Sequence, residues 1–176
     1  MLVVSNSTPL IYLGKESKLY FLKELYDKVY IPLEVWKDLM KPIDERWAKI
    51  PSDVPKIKEA KEQGWLIIKD PKEPKSLELV AELSLTLGIG ESFSIALSKE
   101  INADFLLVND KGARDKAEEL GIKTKWVSEI LHDALETGLL KDAKEYENLL
   151  KSMMGKGLWI TVESFREAVD KAKRIL

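Results

Sequence analysis

The sequence contains no cysteine and a single histidine, His132. Without cysteine, the chain cannot form disulfide bonds, use a thiolate nucleophile or bind zinc through sulfur. With one histidine, it cannot build a metal site from several imidazoles. The groups that remain for metal or acid–base chemistry are carboxylates, amides and hydroxyls, which suit hard cations.

Neither sign of charge dominates, and long apolar runs are absent. The chain has 28 Lys and Arg against 30 Asp and Glu, a net charge of −2 with the histidine neutral. Binding of nucleic acid by overall charge is therefore excluded, and any basic surface must be local. No segment approaches the ~20 apolar residues that span a bilayer, and the first residues lack the basic region of a secretory signal. We expect a cytoplasmic protein without a membrane partner.

The composition supports a buried core. The 176 residues are 45% hydrophobic and 33% charged, which is not the balance of a disordered chain. This length fits one domain, or one domain with a small appendage. We assign residues 1–140 to the main domain and residues 141–176 to a C-terminal helical extension packed on the same domain.

Short apolar runs alternate with helical patterns along the chain. The apolar runs predict strands at 2–4, 29–31, 65–68, 103–108 and 122–127. The helical patterns lie at 9–14, 17–26, 54–63, 76–86, 90–101 and 112–120, in a helix opened by Pro32, and after residue 128. This alternation indicates an α/β fold with a mostly parallel sheet. Residues 41–55 contain three prolines and read as an excursion.

Two predicted strands end in oxygen-bearing side chains. The first strand runs into Asn6, Ser7 and Thr8, and the fourth runs into Asn109 and Asp110. Ligand sites of parallel sheets lie beyond the carboxyl ends of the strands, so both turns belong to the same edge. Viewed alone, each residue is typical of a turn or a helix cap, and we expect Ser7 or Thr8 to cap the first helix.

Two further acids accompany these turns. Glu91 begins the helix at 90–101, and Asp38 lies late in the helix opened by Pro32. A helix-start Glu and an exposed Asp are each common on their own. Together with Asn6 and Asp110, they form a set of oxygen ligands that suits Mg²⁺ or Mn²⁺. Such a site supports phosphodiester hydrolysis, because a bound metal activates water and neutralises charge on the phosphate.

Residues around this set each allow a structural and a functional interpretation. Lys111 and Arg114 follow Asp110 and belong either to a solvated helix face or to the binding site for a substrate backbone. Ser7 or Thr8 could hold a phosphate or a ligating water. His132 lies on an apolar helix pattern, which is typical of a packed or surface histidine rather than a catalyst.

Four segments carry a resemblance to a known family. They are VVSNSTPLI, IPLEVWKDLM, GIGESFSIALSKEINADFLLVNDKGARDKAEELGI and GLLKDAKEYENLLKSMMGKGLWITVESFREAVDKA. Their order and spacing resemble the PIN-domain superfamily of metal-dependent nucleases, which often act on RNA and include VapC-like toxins. The resemblance implies a PIN-like three-layer α/β/α fold with a mostly parallel five-stranded sheet.

The resemblance also implies roles for single residues. Asn6, Asp38, Glu91 and Asp110 match catalytic positions, and Asn6, Glu91 and Asp110 would hold Mg²⁺ or Mn²⁺. Five residues would contact substrate: Ser7, Thr8, Asn109, Lys111 and Arg114. The first acid of the family is almost always Asp, and this sequence has Asn6 there. The family carboxylate after the fourth strand falls on either Asn109 or Asp110.

Two functions follow from this pattern. The first is a divalent-metal-dependent ribonuclease, including the toxin of a toxin–antitoxin pair with a protein antitoxin as partner. The second is a catalytically impaired PIN-fold protein that binds RNA or protein, because Asn attracts Mg²⁺ less than Asp and cannot act as a base.

A homodimer is also expected from the apolar C-terminal residues, since they exceed what a small sheet domain must bury. These residues are Leu149, Leu150, Met153, Met154, Trp159, Ile160 and Phe165. The five scattered tryptophans are expected to anchor the core or interfaces, with Trp47 as an exposed contact.

Overall fold

The computed structural model describes residues 1–41 and 53–175. Most of the proline-containing excursion, and with it the expected exposed contact Trp47, lies outside the described residues. Among the described helices, none is long and apolar enough to cross a membrane.

Five parallel strands form one sheet. The strands are β1 (Val3–Ser5), β2 (Val29–Ile31), β3 (Leu66–Ile68), β4 (Phe105–Leu107) and β5 (Thr124–Lys125). Their spatial order is β3-β2-β1-β4-β5, so the first strand of the chain lies at the centre. Every pairing in the sheet is parallel, which confirms the α/β fold expected from the sequence.

Helices connect and flank the strands. They are α1 (Ser7–Lys15), α2 (Tyr20–Tyr26), α3 (Leu33–Met40), α4 (Val54–Glu62), α5 (Pro74–Leu83), α6 (Ile89–Glu100), α7 (Lys111–Glu119), α8 (Val127–Glu136), α9 (Ala143–Gly155) and α10 (Val162–Ile175). Glycines with positive φ follow α7 and α8, at Gly121 and Gly138. These are the conformations that favour glycine at the end of a helix.

The sheet buries both of its faces. In β1, Val3 belongs to one hydrophobic cluster and Val4 to another. In β4, Leu107 and Leu106 divide between the same two clusters. Successive side chains of a strand point to opposite faces, so helices must cover the sheet on both sides. This is the three-layer arrangement that the family resemblance implies.

The C-terminal helices add to the cluster that contains Val3. Tyr146, Leu150 and Met153 of α9 are fully buried there, and Ala172 of α10 is buried as well. The apolar residues that suggested a homodimer are therefore largely used within the chain. Trp159 is the clear exception, because it is 77% exposed.

Three local predictions were wrong. Ser7 and Thr8 lie inside α1 and do not cap it; Asn6 occupies the N-cap position, and its side chain makes no capping hydrogen bond. The helix predicted at 17–26 begins only at Tyr20, because Ser17 adopts a positive φ of 57° that ends the preceding turn. The last two strands are shorter than their apolar runs. In these runs hydrophobicity reflects burial, which extends beyond the residues that pair in the sheet.

Candidate active site

Asn6 lies at the carboxyl edge of the sheet, between two adjacent strands. Ser5 at the end of β1 pairs with Leu107 at the end of β4. The backbone N–H of Asn6 donates to the carbonyl oxygen of Leu107 over 2.9 Å, which extends this pairing by one residue. The side chain of Asn6 does not cap α1, and the residue is only 6% exposed. The sheet therefore fixes Asn6 where sequence reasoning expected a ligand site.

Glu91 lies in the first turn of α6, half-buried beside the same edge. Its Oε2 accepts a hydrogen bond from the backbone N–H of Gly88 over 3.0 Å, which holds the carboxylate at the start of the helix. Burial raises the pKa of the Glu91 carboxyl, and the charges of Asp110 and Asp38 raise it further. The hydrogen bond from Gly88 opposes this shift. Asp110 and Asp38 are thus each close enough to act on the charge of Glu91.

Asp110 and Asn109 have different roles, although they are neighbours. Oδ1 of Asp110 accepts from the N–H of Ala113 over 2.8 Å and caps α7. Oδ1 of Asn109 accepts from the N–H of Val127 over 3.1 Å, at the start of α8. Since Asp110 acts electrostatically on Glu91 while the amide of Asn109 is engaged with α8, the geometry favours Asp110 as the family carboxylate.

Asp38 belongs to the outer part of the site. It lies in α3, which packs against α6, and its side chain is 48% exposed. Its carboxylate pairs with Lys41 over 2.7 Å. Asp38 therefore acts on Glu91 electrostatically, and the ion pair with Lys41 offsets part of its charge.

Gly90 brings α6 close to Asn6. A Cβ at position 90 would lie 3.8 Å from Oδ1 of Asn6 and 3.5 Å from Val35. Those distances are ordinary van der Waals contacts. The first turn of α6 therefore lies directly against Asn6 at the end of β1.

Asp70 is a residue that sequence reasoning missed. It follows β3, and its Oδ1 accepts from the N–H of Leu33 over 2.8 Å at the start of α3. This hydrogen bond ties the helix that carries Asp38 to the edge of the sheet. An Asp two residues after a strand was the available signal, and it matches the pattern that singled out Asp110.

The predicted substrate residues lie around the site with partners of their own. Lys111 pairs with Asp115 over 2.6 Å on the exposed side of α7. Arg114 bonds both Glu118 and Glu129, and its guanidinium lies 4.8 Å from the Trp126 ring centroid. Arg114 is thus held in place by neighbours of the same chain.

Ser7 and Thr8 occupy the first turn of α1, directly after Asn6, and both are half-buried. Their place at the sheet edge agrees with the prediction, while any contact with a phosphate stays a prediction.

The donor set fits a divalent ion that is bound by one or two carboxylates and water, and not an ion bound by a cluster of three acidic or histidine side chains. Within residues 1–41 and 53–175, no three side chains of the types His, Asp and Glu group closely enough to hold a metal ion. The oxygens near Glu91 come instead from two neighbouring carboxylates and the amide of Asn6. Mg²⁺ is usually bound by one or two carboxylates with water completing its shell, so these residues fit such an ion.

A comparison with models of known families identifies the family of this chain. A family model described as PIN domain matches residues 2–174, nearly the whole chain. The chain belongs to the PIN-domain family. Members of this family are generally nucleases, and PIN domains generally use divalent metals. The resemblance noted in the sequence is therefore confirmed, while the VapC-like subgroup stays a prediction.

One solved structure supports the same fold. This PIN domain is similar to a PilT N-terminus domain protein from the hyperthermophilic archaeon Sulfolobus solfataricus, at 25% sequence identity and a TM-score of 0.50. The match covers 77% of this chain and 95% of the archaeal one. No curated protein matches the chain significantly.

Proposed function

We propose that this PIN domain is a divalent-metal-dependent nuclease that hydrolyses phosphodiester bonds of RNA. The observation that carries the proposal is the placement of Asn6, Glu91 and Asp110 at the carboxyl edge of the sheet and at the starts of α6 and α7. Burial, and then the charges of Asp110 and Asp38, raise the pKa of the Glu91 carboxyl there. Acidic side chains that repel one another at the carboxyl edge of a parallel sheet are stabilised by a cation. Membership of a family of nucleases supports the same function.

Asn6, Glu91 and Asp110 would hold Mg²⁺ or Mn²⁺ in this proposal. A divalent ion, when bound, lowers the pKa of an attacking water and neutralises charge on the phosphate. The protein would position the two carboxylates. The backbone N–H of Gly88 donates to Oε2 of Glu91, and that of Ala113 donates to Oδ1 of Asp110. The second oxygen of each carboxylate is left for the ion. Asp38, the outermost acid, would orient water or substrate.

The second candidate is an impaired PIN domain that binds RNA or protein without cleaving RNA. Asn6 favours this candidate, because a neutral amide stands where the family resemblance implies a carboxylate. The lack of a grouped carboxylate triad in the described residues agrees with it. Activity of the wild-type protein decides between the two candidates.

Cleavage of a labelled single-stranded RNA in Mg²⁺ or Mn²⁺ tests the proposal. The comparison needs wild type, Asn6→Asp, Glu91→Gln and, as a matched control, Glu78→Gln, which replaces an exposed glutamate of α5. We expect wild type and Glu78→Gln to cleave, and Glu91→Gln to lose at least about 100-fold, in line with the loss of a metal-site group.

Two other outcomes would change the conclusion. An inactive wild type together with an active Asn6→Asp would identify a PIN domain disabled at one carboxylate. Inactivity of every variant on a range of RNAs would contradict the nuclease and favour the binding protein.

A more specific proposal concerns the partners of the protein and the compartment in which it acts. We propose that the nuclease works in the cytoplasm as the toxin of a toxin–antitoxin pair. Growth arrest on expression, relieved by a protein encoded beside it, would support this role, and normal growth with an active nuclease would contradict it. We also propose that the protein forms a homodimer. A monomeric mass at micromolar concentration would contradict the dimer.

A further inference from the structure

A pocket of about 460 Å³ lies beside the candidate active site. Its walls come from the start of α7, from α8, from residues 159–161 and from α10. Asn109, the neighbour of Asp110, lines one end of the pocket. Lys111, the other neighbour of Asp110, lines the pocket as well, so the pocket begins beside Asp110. Its volume falls in the range of pockets that bind small molecules or single nucleotides.

Two tryptophans give the pocket flat apolar walls. Trp126 lies under the guanidinium of Arg114, which Glu118 and Glu129 hold in position. Trp159 lines the same pocket and is 77% exposed. Tryptophan is a large apolar side chain, and an exposed one beside a pocket is typical of a contact surface for a ligand.

Basic and acidic side chains both line the pocket. The basic ones are Lys111, Arg114 and Lys171, and the acidic ones are Glu129 and Glu167. Arg114 pairs with Glu129 inside the lining, and the lining residues Lys111 and Arg114 also pair with Asp115 and Glu118 outside it. The basic side chains are therefore held in position at the pocket wall, and neighbouring carboxylates balance much of their charge.

His132 contributes a buried ring to the pocket wall. The residue lines the pocket and is 4% exposed. Its Nε2–H donates to the carbonyl oxygen of Ala168 over 2.8 Å, which leaves Nδ1 as an acceptor. Among the described residues, Nδ1 has no hydrogen-bond partner. A buried acceptor without a donor is uncommon and is usually satisfied by water or a ligand.

We propose that this pocket binds a base of a single-stranded nucleic acid, stacked on Trp159, whose backbone continues to the carboxylates at Glu91 and Asp110. The assignment rests on the proposed nuclease function. A strand is favoured over a peptide because the aromatic walls and the basic side chains of the pocket lie beside Asp110, in the proposed phosphodiester-cleaving site. A single strand is favoured over a duplex, because the face of a base is free for aromatic stacking only when the base is unpaired.

Binding measured without cleavage tests the pocket. Fluorescence anisotropy of a labelled eight-nucleotide RNA, in EDTA, would compare wild type, Trp159→Ala, Trp159→Phe and the control Val162→Ala, a second exposed apolar residue nearby. We expect Trp159→Ala to weaken binding about 5- to 100-fold, the range for loss of one base stack, and Trp159→Phe to restore most of it. Val162→Ala should bind like wild type. Circular dichroism should show that all variants fold, since both side chains are exposed.

Three outcomes separate the pocket from the nuclease. Equal affinity of wild type and Trp159→Ala overturns the pocket, and a protein partner then becomes the candidate occupant. Equal weakening for a duplex of the same sequence overturns stacking of an unpaired base. If Trp159→Ala binds RNA more weakly but the wild-type protein cleaves no RNA with Mn²⁺, the pocket is supported. That result contradicts only the proposed nuclease.

Discussion

At the scale of single residues, the site depends on which side-chain oxygens are engaged in hydrogen bonds within the fold. Asn109 and Asp110 are adjacent in sequence, and both look like turn residues after a strand. Only the structure separates them, because the amide of Asn109 caps α8 while Asp110 acts on Glu91. Sequence reasoning left this choice open because a shift of one residue in an alignment leaves the hydrophobic pattern unchanged.

Substitution of these two residues should therefore have opposite effects. Asn109→Ala removes the acceptor for the N–H of Val127 and should lower the free energy of unfolding by about 1 kcal/mol, as for other lost helix caps. Asp110→Asn keeps a cap on α7 but removes a carboxylate, so it should abolish cleavage with little change in stability. Urea unfolding and RNA cleavage measure the two effects. A stable and inactive Asn109→Ala beside an active Asp110→Asn would reverse the assignment.

At the scale of elements, α10 docks on α8 and α9 through a buried histidine. His132 of α8 stacks on Tyr146 of α9, with ring centroids 4.7 Å apart, and bonds Ala168 of α10. The sequence predicted a packed or surface histidine, and the structure confirms a packed one. Burial lowers the pKa of His132; the charge of Lys171 adds to this, while the hydrogen bond to Ala168 and the charges of Glu129 and Asp133 oppose it.

Docking of α10 should weaken in acid. Because the pKa of His132 is lower in the folded protein than its usual 6.5, folding favours the neutral ring. That contribution to stability is full above pH 6.5 and is lost as the pH falls through the folded pKa. Hydrogen exchange of α10 should thus accelerate between pH 7 and 5 in wild type after correction for intrinsic rates. His132→Phe keeps an aromatic ring on Tyr146 and removes the titration. An equal acceleration in this variant would contradict the role of His132.

At the scale of the whole molecule, the carboxylates repel one another within an otherwise well-packed fold. Both faces of the sheet are covered, and large side chains such as Phe21 and Tyr146 are fully buried. Since the pKa of Glu91 is raised above its usual 4.5, its contribution to stability is full below pH 4.5 and is lost as the pH rises through the raised pKa. At neutral pH the metal-free protein therefore carries the cost of a half-buried, charged Glu91, to which the charges of Asp110 and Asp38 add.

Added Mn²⁺ should therefore stabilise the whole protein at neutral pH. A ligand at 100 times its Kd raises the free energy of unfolding by about 2.7 kcal/mol, which is a clear rise in Tm. Glu91→Gln should raise the Tm of the metal-free protein at pH 7 and remove most of the response to Mn²⁺. Thermal unfolding with a Mn²⁺ titration measures both effects. An identical Mn²⁺ response in Glu91→Gln would mean that the ion binds elsewhere.

The sequence by itself determined the fold class and the family, and it predicted the residues of the candidate site. Apolar runs placed five strands, and the rule that ligands bind beyond the carboxyl ends of parallel strands selected Asn6 and Asp110. Such local signals suffice because burial and strand direction are encoded in the order of residue types.

Tertiary structure alone decided what these side chains contact. It engaged Asn109 with α8, gave Arg114 two carboxylate partners and placed Trp159 beside the end of the site. It also used most of the C-terminal apolar residues within the core, which removed much of the reason to expect a dimer. These outcomes depend on contacts between segments far apart in the chain, and no periodicity within one segment specifies its distant partner.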